Sequence, residues 1–213
     1  NAPDISFIHS AFDNIKPYLK KNQTIILEST VYPGATREIF FKNLSKKFKL
    51  GENFFLGFSP ERINPGQNNN SKSKIKIFDT TKIISGYSKK CLKKVNYFYK
   101  KLFKKIYVCE SLEIAELTKL FENSFRSVNI GLVNELKMMC SKVNINFHNI
   151  ISAASTKPFG FKRFDPGPGL GGHCIPIDPL FITWFAKKNN FDTKFIKLAN
   201  KINKDTTDWV IEK

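Results

Sequence analysis

The sequence predicts an α/β first half, a parallel sheet with crossover helices, followed by an all-helical second half built on one long helix. Three observations predict it. Short apolar runs alternate with helical spacings as far as Cys109. From Ser111 to Cys140 there is no Gly or Pro except Gly131, and Ile114, Leu117, Phe121, Phe125, Val128, Leu132, Leu136 and Met139 recur at helical spacing. After Cys140 only helical patterns follow.

The elements come in order. Ile8, Phe12, Ile15 and Leu19 mark an amphipathic helix over 5–20. TIILEST (24–30) reads as a short buried strand, and Pro33 opens a helix that runs to Phe48. NFFLGFS (53–59), KIISG (82–86) and IYVC (106–109) read as further strands, with a Lys-rich helix over 88–103 between the last two. The polar segment QNNNSKSKIK (67–76) reads as a solvated loop. Ser111 is placed to cap the long helix, which either joins two domains or pairs with a second chain. Further helices are expected over 146–155, 179–189 and from 192 to the end.

Composition excludes several classes. At 213 residues the chain can bury one good core, or one core plus a smaller helical unit. There is no run of about 18 apolar residues and no signal peptide, so a cytoplasmic protein without membrane contact is expected. Cys91, Cys109, Cys140 and Cys174 are scattered without a CxxC pair, which argues against disulfides and against a metal site. The net charge of +17 could mean nucleic acid. Yet Arg occurs only at 37, 62, 126 and 163, and the lysines spread along the whole chain. The reading is a solvated surface that binds no nucleic acid.

Ligands of open parallel sheets sit beyond the carboxyl ends of the strands. Two such ends carry polar groups, Glu28-Ser29-Thr30 and Ser59-Pro60-Glu61-Arg62, and right-handed crossovers place both on one edge. They are either turn residues or ligand contacts. On the long helix Glu116, Lys119, Asn123 and Arg126 share one stripe. That stripe is either the wet side of an amphipathic helix or, through Lys119 and Asn123, a cradle for an oxyanion.

The loop GPGLGGHCIPIDP (167–179) is stiff and bare. Gly167, Gly169 and Gly172 match G-x-G-x-x-G only by accident, because no strand precedes them and Pro168 breaks the turn. Asp178-Pro179 reads as a helix start, with Asp178 as N-cap, and puts Cys174 just upstream of a helix N-terminus. There partial positive charge favours a thiolate. Cys174 is either a small buried apolar residue or a nucleophile, and its setting among glycines and prolines favours the second.

Together ESTVYPG (28–34), SPERINPG (59–66), AELTKLFENSFR (115–126), TKPFGF (156–161) and GPGLGGHCIPIDP (167–179) resemble the UDP-glucose/GDP-mannose dehydrogenase family over nearly the whole chain. TKPFGF and GGHCIPIDP resemble most the bacterial branch acting on UDP-N-acetylhexosamines. The resemblance implies an NAD-dependent four-electron oxidation of a sugar C6 hydroxyl to a carboxylate, in the service of surface polysaccharide synthesis. It implies that Cys174 forms a thiohemiacetal and then a thioester, that Lys119 and Asn123 stabilise the oxyanions, and that Asp178, Glu61 and Thr30 position or activate water. Thr30 and Cys174 would lie near the nicotinamide, and Glu61, Arg62, Lys119, Asn123, Phe164, Gly167, Leu170 and Gly171 would contact the UDP-sugar.

The resemblance also implies an architecture. Residues 1–110 would be the second half of an NAD-binding Rossmann domain. Residues 111–213 would be a central helical domain that forms a homodimer through 111–140, its last helix leading to a UDP-binding domain. The family's opening strand and Gly-rich turn and its third domain have no counterpart here, so the chain is expected to be part of a longer protein or an inactive truncated one. Two further departures bear on specificity. Pro65 stands where the UDP-glucose branch often has a second Glu, and Asp165 where the N-acetylhexosamine branch usually has an aromatic residue.

Overall fold

The computed structural model describes residues 2–62, 77–172 and 174–213, with Ile77 and Cys174 placed by their backbones alone. The chain divides into two compact units, Asn1–Leu120 and Phe121–Lys213, and the division falls inside the long helix.

In the first unit α1 (Ser6–Ile15) ends in a 3-10 turn, Lys16–Tyr18. Pro17 lacks an N–H and restricts the residue before it, so the predicted helix cannot continue to 20 as α-helix. β1 (Thr24–Leu27) leads into the turn Tyr32-Pro33-Gly34-Ala35, closed by the Ala35 N–H donating to the Tyr32 carbonyl at 3.0 Å. Gly34 has φ 91°, so Pro33 and Gly34 fill the central positions of this turn, and the helix begins after them rather than at Pro33. That helix contains a π-helical turn, Arg37–Phe41, and finishes as α2 (Lys42–Leu44).

Among the described residues the sheet has four strands in the order β1, β2 (Phe55–Phe58), β3 (Lys82–Gly86) and β4 (Ile106–Val108). β1 pairs with β2 in parallel, Leu27 opposite Phe58, and β3 with β4 in parallel, Ile83 opposite Tyr107. β2 and β3 run antiparallel, which corrects the expectation of a fully parallel sheet. A parallel neighbour needs a long crossover, usually a helix, whereas an antiparallel one needs only a loop. Between β2 and β3 the described residues hold only a 3-10 turn, Ile77–Asp79. α3 (Lys89–Tyr99), capped by the Ser88 hydroxyl accepting from the Cys91 N–H at 3.3 Å, supplies the true crossover from β3 to β4.

Period-two alternation gives the strands two apolar faces. Ile84 packs with Val95 and Tyr99 of α3, joined by Ile26, Leu92, Phe103 and Ile106. Phe12 of α1 meets Phe40 edge-on at 4.8 Å, above a groove of about 260 Å³ also lined by Ile25 and Leu27.

The second unit holds most of α4 (Leu112–Lys142), then α5 (Phe147–Ala154), α6 (Cys174–Lys188) and α7 (Lys194–Ile211). Cys140, Phe147 and Ile151 form an apolar cluster with Val133. Ser111 caps α4 as expected, its hydroxyl accepting from the Ile114 N–H at 3.2 Å.

Two expectations fail in these helices. α6 starts at Cys174, five residues before the expected start, so Asp178 is not its N-cap and Pro179 lies inside the helix. Pro176 falls in the first turn, where no N–H is needed; only Pro179 forfeits a backbone bond. The second failure concerns α4, where the wet-side alternative for its polar stripe does not hold. Glu116, Asn123, Ser127 and Asn134 are buried, while Phe121, Leu132 and Met139 are 64%, 52% and 52% exposed. Of the polar stripe only Arg126 is exposed.

Candidate active site

The first unit presents one polar cluster at the carboxyl ends of β1 and β2. The Ser59 N–H donates to the Leu27 carbonyl at 3.0 Å and the Glu61 N–H to the Glu28 carbonyl at 3.3 Å, so the two chain segments leave the sheet together. Because β3 runs the other way, it starts at this same edge, and Lys82 enters the cluster. Its buried ammonium lies 2.8 Å from Glu28 Oε1 and 3.9 Å from Glu61 Oε2. The Tyr99 hydroxyl donates to Glu28 Oε1 at 2.5 Å.

Burial raises the Glu28 pKa, but the Lys82 and Tyr99 hydrogen bonds and the Lys82 charge outweigh it, and the carboxyl is held below its usual range. Burial first, then the bond to Glu28, pushes the Tyr99 phenol well above its ordinary value. Arg62 donates to the Thr81 carbonyl at 2.9 Å, and Thr30 is partly buried just after β1.

The cluster is asymmetric, and that yields a stability prediction. Glu28→Gln leaves the buried Lys82 ammonium with the more distant Glu61 as its carboxylate partner and is expected to cost roughly 2–3 kcal/mol, below the range for a fully buried pair because Glu28 is half exposed. Lys82→Met leaves a carboxylate that water reaches, and is expected to cost about 1 kcal/mol. Urea unfolding of the two variants checks the order; equal losses would contradict it.

Glu116, on the first part of α4, is 1% exposed. Its carboxylate accepts the Gly34 N–H at 2.5 Å and the Thr36 N–H at 2.9 Å, which fixes the turn that follows Thr30. Burial raises its pKa despite these bonds. Lys119 follows it by nearly one helical turn and is partly buried.

In the second unit Asn123 Nδ2 donates to Asp178 Oδ2 at 2.5 Å, and both side chains are buried. Position 174 opens α6 one turn before Asp178, so the two positions share a helix face. His173 lies outside the described residues, as do Pro65 and the 67–76 loop. Phe164 is partly buried and packs edge-on against Phe125 with ring centroids 5.9 Å apart; Asp165 pairs with Arg163 at 2.8 Å.

The glycines of the loop divide into two kinds. Gly169, with φ 110°, could not carry a Cβ, which would lie 2.5 Å from Thr207 Oγ1. At Gly171 a Cβ would meet nothing within 4 Å, and the residue is exposed beside partly buried Leu170. No described atom of the chain requires a glycine at 171. The Gly167 N–H is already taken, donating to Asn134 Oδ1 at 2.9 Å, so at Gly167 the carbonyl and the missing side chain are what a ligand could meet.

Sequence reasoning missed Lys82, Tyr99, Asn134 and Asn203. The signal for Asn134 was present, since Glu116, Asn123, Ser127 and Asn134 continue one helical stripe past Arg126. Lys82 gave only the weaker signal of one cation opening an apolar strand.

Comparisons with known proteins match this geometry to one family. Residues 1–103 match the NAD binding domain of the UDP-glucose/GDP-mannose dehydrogenase family, and residues 113–205 match its central domain. A UDP-N-acetyl-D-glucosamine 6-dehydrogenase of Pseudomonas aeruginosa is 35% identical over 98% of this chain and 49% of its own length. A UDP-N-acetyl-D-mannosamine dehydrogenase of Methanocaldococcus jannaschii is 35% identical over 99% of this chain and 46% of its own. The solved structure of the UDP-D-ManNAc dehydrogenase of Pyrococcus horikoshii superposes with a TM-score of 0.88 at 29% identity, covering 99% of this chain and 48% of that one. The chain therefore spans about half the length of the relatives it matches. Among the described residues no helix is long and apolar enough to cross a membrane. The ordered motifs and the two adjoining domain matches lead to one conclusion: the chain belongs to the UDP-glucose/GDP-mannose dehydrogenase family.

Proposed function

We propose that the chain is the catalytic portion of an NAD-dependent nucleotide-sugar 6-dehydrogenase whose substrate is a UDP-N-acetylhexosamine, UDP-N-acetylglucosamine first among them. The observation that carries the reading is the buried Asn123–Asp178 bond, which ties the polar stripe of α4 to the helix that Cys174 opens. Position 174 at a helix N-terminus favours the thiolate.

Cys174 adds to C6 of the sugar aldehyde and holds it covalently, so that no free aldehyde escapes. Lys119 and Asn123 donate to the oxyanion of the adduct. Asp178, Glu61 and Thr30 hold or activate the water that hydrolyses the thioester. Phe164, the Gly167 carbonyl, Leu170 and Gly171 receive the sugar nucleotide, Gly171 because its open space admits a ligand close to the backbone. Arg62, anchored on the Thr81 carbonyl, keeps the Glu61 segment in place and completes the polar rim.

NAD⁺, when bound, supplies the hydride acceptor for both oxidations. The half-open carboxyl edge of β1 and β2, with Thr30 partly buried there, fits the nicotinamide end of that cofactor. Among the described residues no G-x-G-x-x-G follows a strand, so these residues account for that end alone.

On this reading residues 1–110 are the later half of an NAD-binding domain and 111–213 a central helical domain with α7 as the link to a UDP-binding domain. The exposed apolar stripe of α4, Ile114 to Met139, supports a homodimer formed through 111–140. The setting is the cytoplasm, and the product feeds surface polysaccharide synthesis.

The test is NADH formation from NAD⁺ with UDP-N-acetylglucosamine, UDP-N-acetylmannosamine and UDP-glucose. Two NADH per UDP-N-acetylglucosamine is the expected result. Full-length protein that sediments as a dimer and forms no NADH with any of the three is a scaffold, and the proposal then fails.

A further inference from the structure

The catalytic reading leaves Gly131 and the polar residues beyond Arg126 without a use. The second unit brings them together. A Cβ at Gly131 would lie 3.3 Å from Asn203 Nδ2 and 3.4 Å from the Ala199 carbonyl, so α7 passes α4 closely there. A glycine inside a helix costs about 1 kcal/mol against alanine, and this approach is its return. Asn203 Nδ2 donates to the Ser127 carbonyl at 3.1 Å, and Asn134 Nδ2 donates to Asn203 Oδ1 at 3.0 Å. Asn134 Oδ1 accepts the Gly167 N–H at 2.9 Å. One helical turn beyond Asn203, the Thr207 hydroxyl donates to the Pro168 carbonyl at 2.8 Å.

The chain of donors runs one way, from the Gly167 N–H through Asn134 and Asn203 to the Ser127 carbonyl. Reversing either amide sets donor against donor or acceptor against acceptor inside a site where Asn134 is 0% and Asn203 3% exposed. Two apolar residues would hold α4 to α7 as well. They would not hold the loop. What the amides add is a single path for Gly167 to Gly169, and Gly169 is bare because Thr207 and the Asn203 carbonyl occupy the space of its Cβ.

We infer that Asn134 and Asn203, with Thr207, are positioning residues that latch the Gly167–Gly169 segment to the α4–α7 pair and so fix how Leu170 and Gly171 are presented to the nucleotide sugar. The inference rests on the function proposed above. None of the three touches substrate; they act through the loop.

Asn134→Ala should speed amide exchange at Gly167 about tenfold, the equivalent of one buried hydrogen bond. It should weaken UDP-N-acetylglucosamine binding, measured by calorimetry, to a similar degree and leave NAD⁺ binding as it was. Should that variant unfold, the rim decides. Thr207→Val is then expected to weaken the sugar nucleotide several-fold, and Thr207→Ser, which keeps the hydroxyl, to restore it. Asn129→Ala, on the same helix but outside the latch, is the control and should change nothing. Wild-type protein that binds the sugar nucleotide while the variants bind it equally well overturns the latch alone. Full-length wild-type protein that binds no UDP-sugar overturns the functional reading and the inference with it.

Discussion

Glu116→Ala is expected to destabilise the chain by about 3 kcal/mol, because it strands the Gly34 and Thr36 N–H groups that the carboxylate now accepts. The Thr36 N–H is buried and cannot turn to water. Glu116→Gln keeps one acceptor and should cost less.

The two variants also separate in their pH dependence. Burial raises the Glu116 pKa above 4.5, so between 4.5 and that raised value the folded chain binds more protons than the unfolded one. Stability therefore falls as pH rises through this window, and the cost of the buried charge is fully present above it. Glu116→Gln should remove that slope. Glu28 and Glu113 act in the opposite sense, since both are lowered from 4.5. Their contributions are full above 4.5 and fade as pH falls through their folded values. A stability curve of Glu116→Gln that keeps the wild-type slope above 4.5 would show that Glu116 is not the group responsible.

The second large effect is on turnover. On the proposed mechanism, Cys174→Ala in the full-length protein is expected to lower NADH formation at least about 10³-fold, since without the thiol no covalent adduct would hold the aldehyde for the second oxidation. Binding of the UDP-sugar should survive, because the latched segment Gly167–Gly169 does not include position 174. A variant that loses binding together with turnover would point to a structural role for Cys174 instead.

Much of the fold was legible because the local signals agree. Ser111 before a periodic apolar run is a helix start, and KIISG followed by a helical Lys-rich stretch is a strand and its crossover. The antiparallel β2–β3 step was not legible in the sequence, because apolar runs alternating with helical spacings predict parallel pairing throughout. Among the described residues only the 3-10 turn Ile77–Asp79 lies between these strands, and an antiparallel neighbour needs no helical crossover.

The start of α6 was harder to read. Pro176 and Pro179 each suit a first turn, and the stronger Asp-Pro pattern drew the boundary to the wrong one. α4 was ambiguous for a different reason. Helical spacing shows two stripes but not which one is buried, and here much of the apolar stripe is exposed while Glu116, Asn123 and Asn134 find hydrogen-bond partners inside. Lys82 could not be placed, because it joins the cluster only through the reversed direction of β3.

The most direct measurement is the pH profile of alkylation at each cysteine. Rate alone decides little, because Cys91, Cys109 and Cys140 are buried and will react slowly in any case. The midpoint is what discriminates. Burial pushes the Cys109 thiol up, so its reaction should begin only at high pH. Cys174, opening α6, should titrate well below the roughly 8.5 of a free thiol. A midpoint for Cys174 at or above that value would contradict the nucleophile on which the account depends.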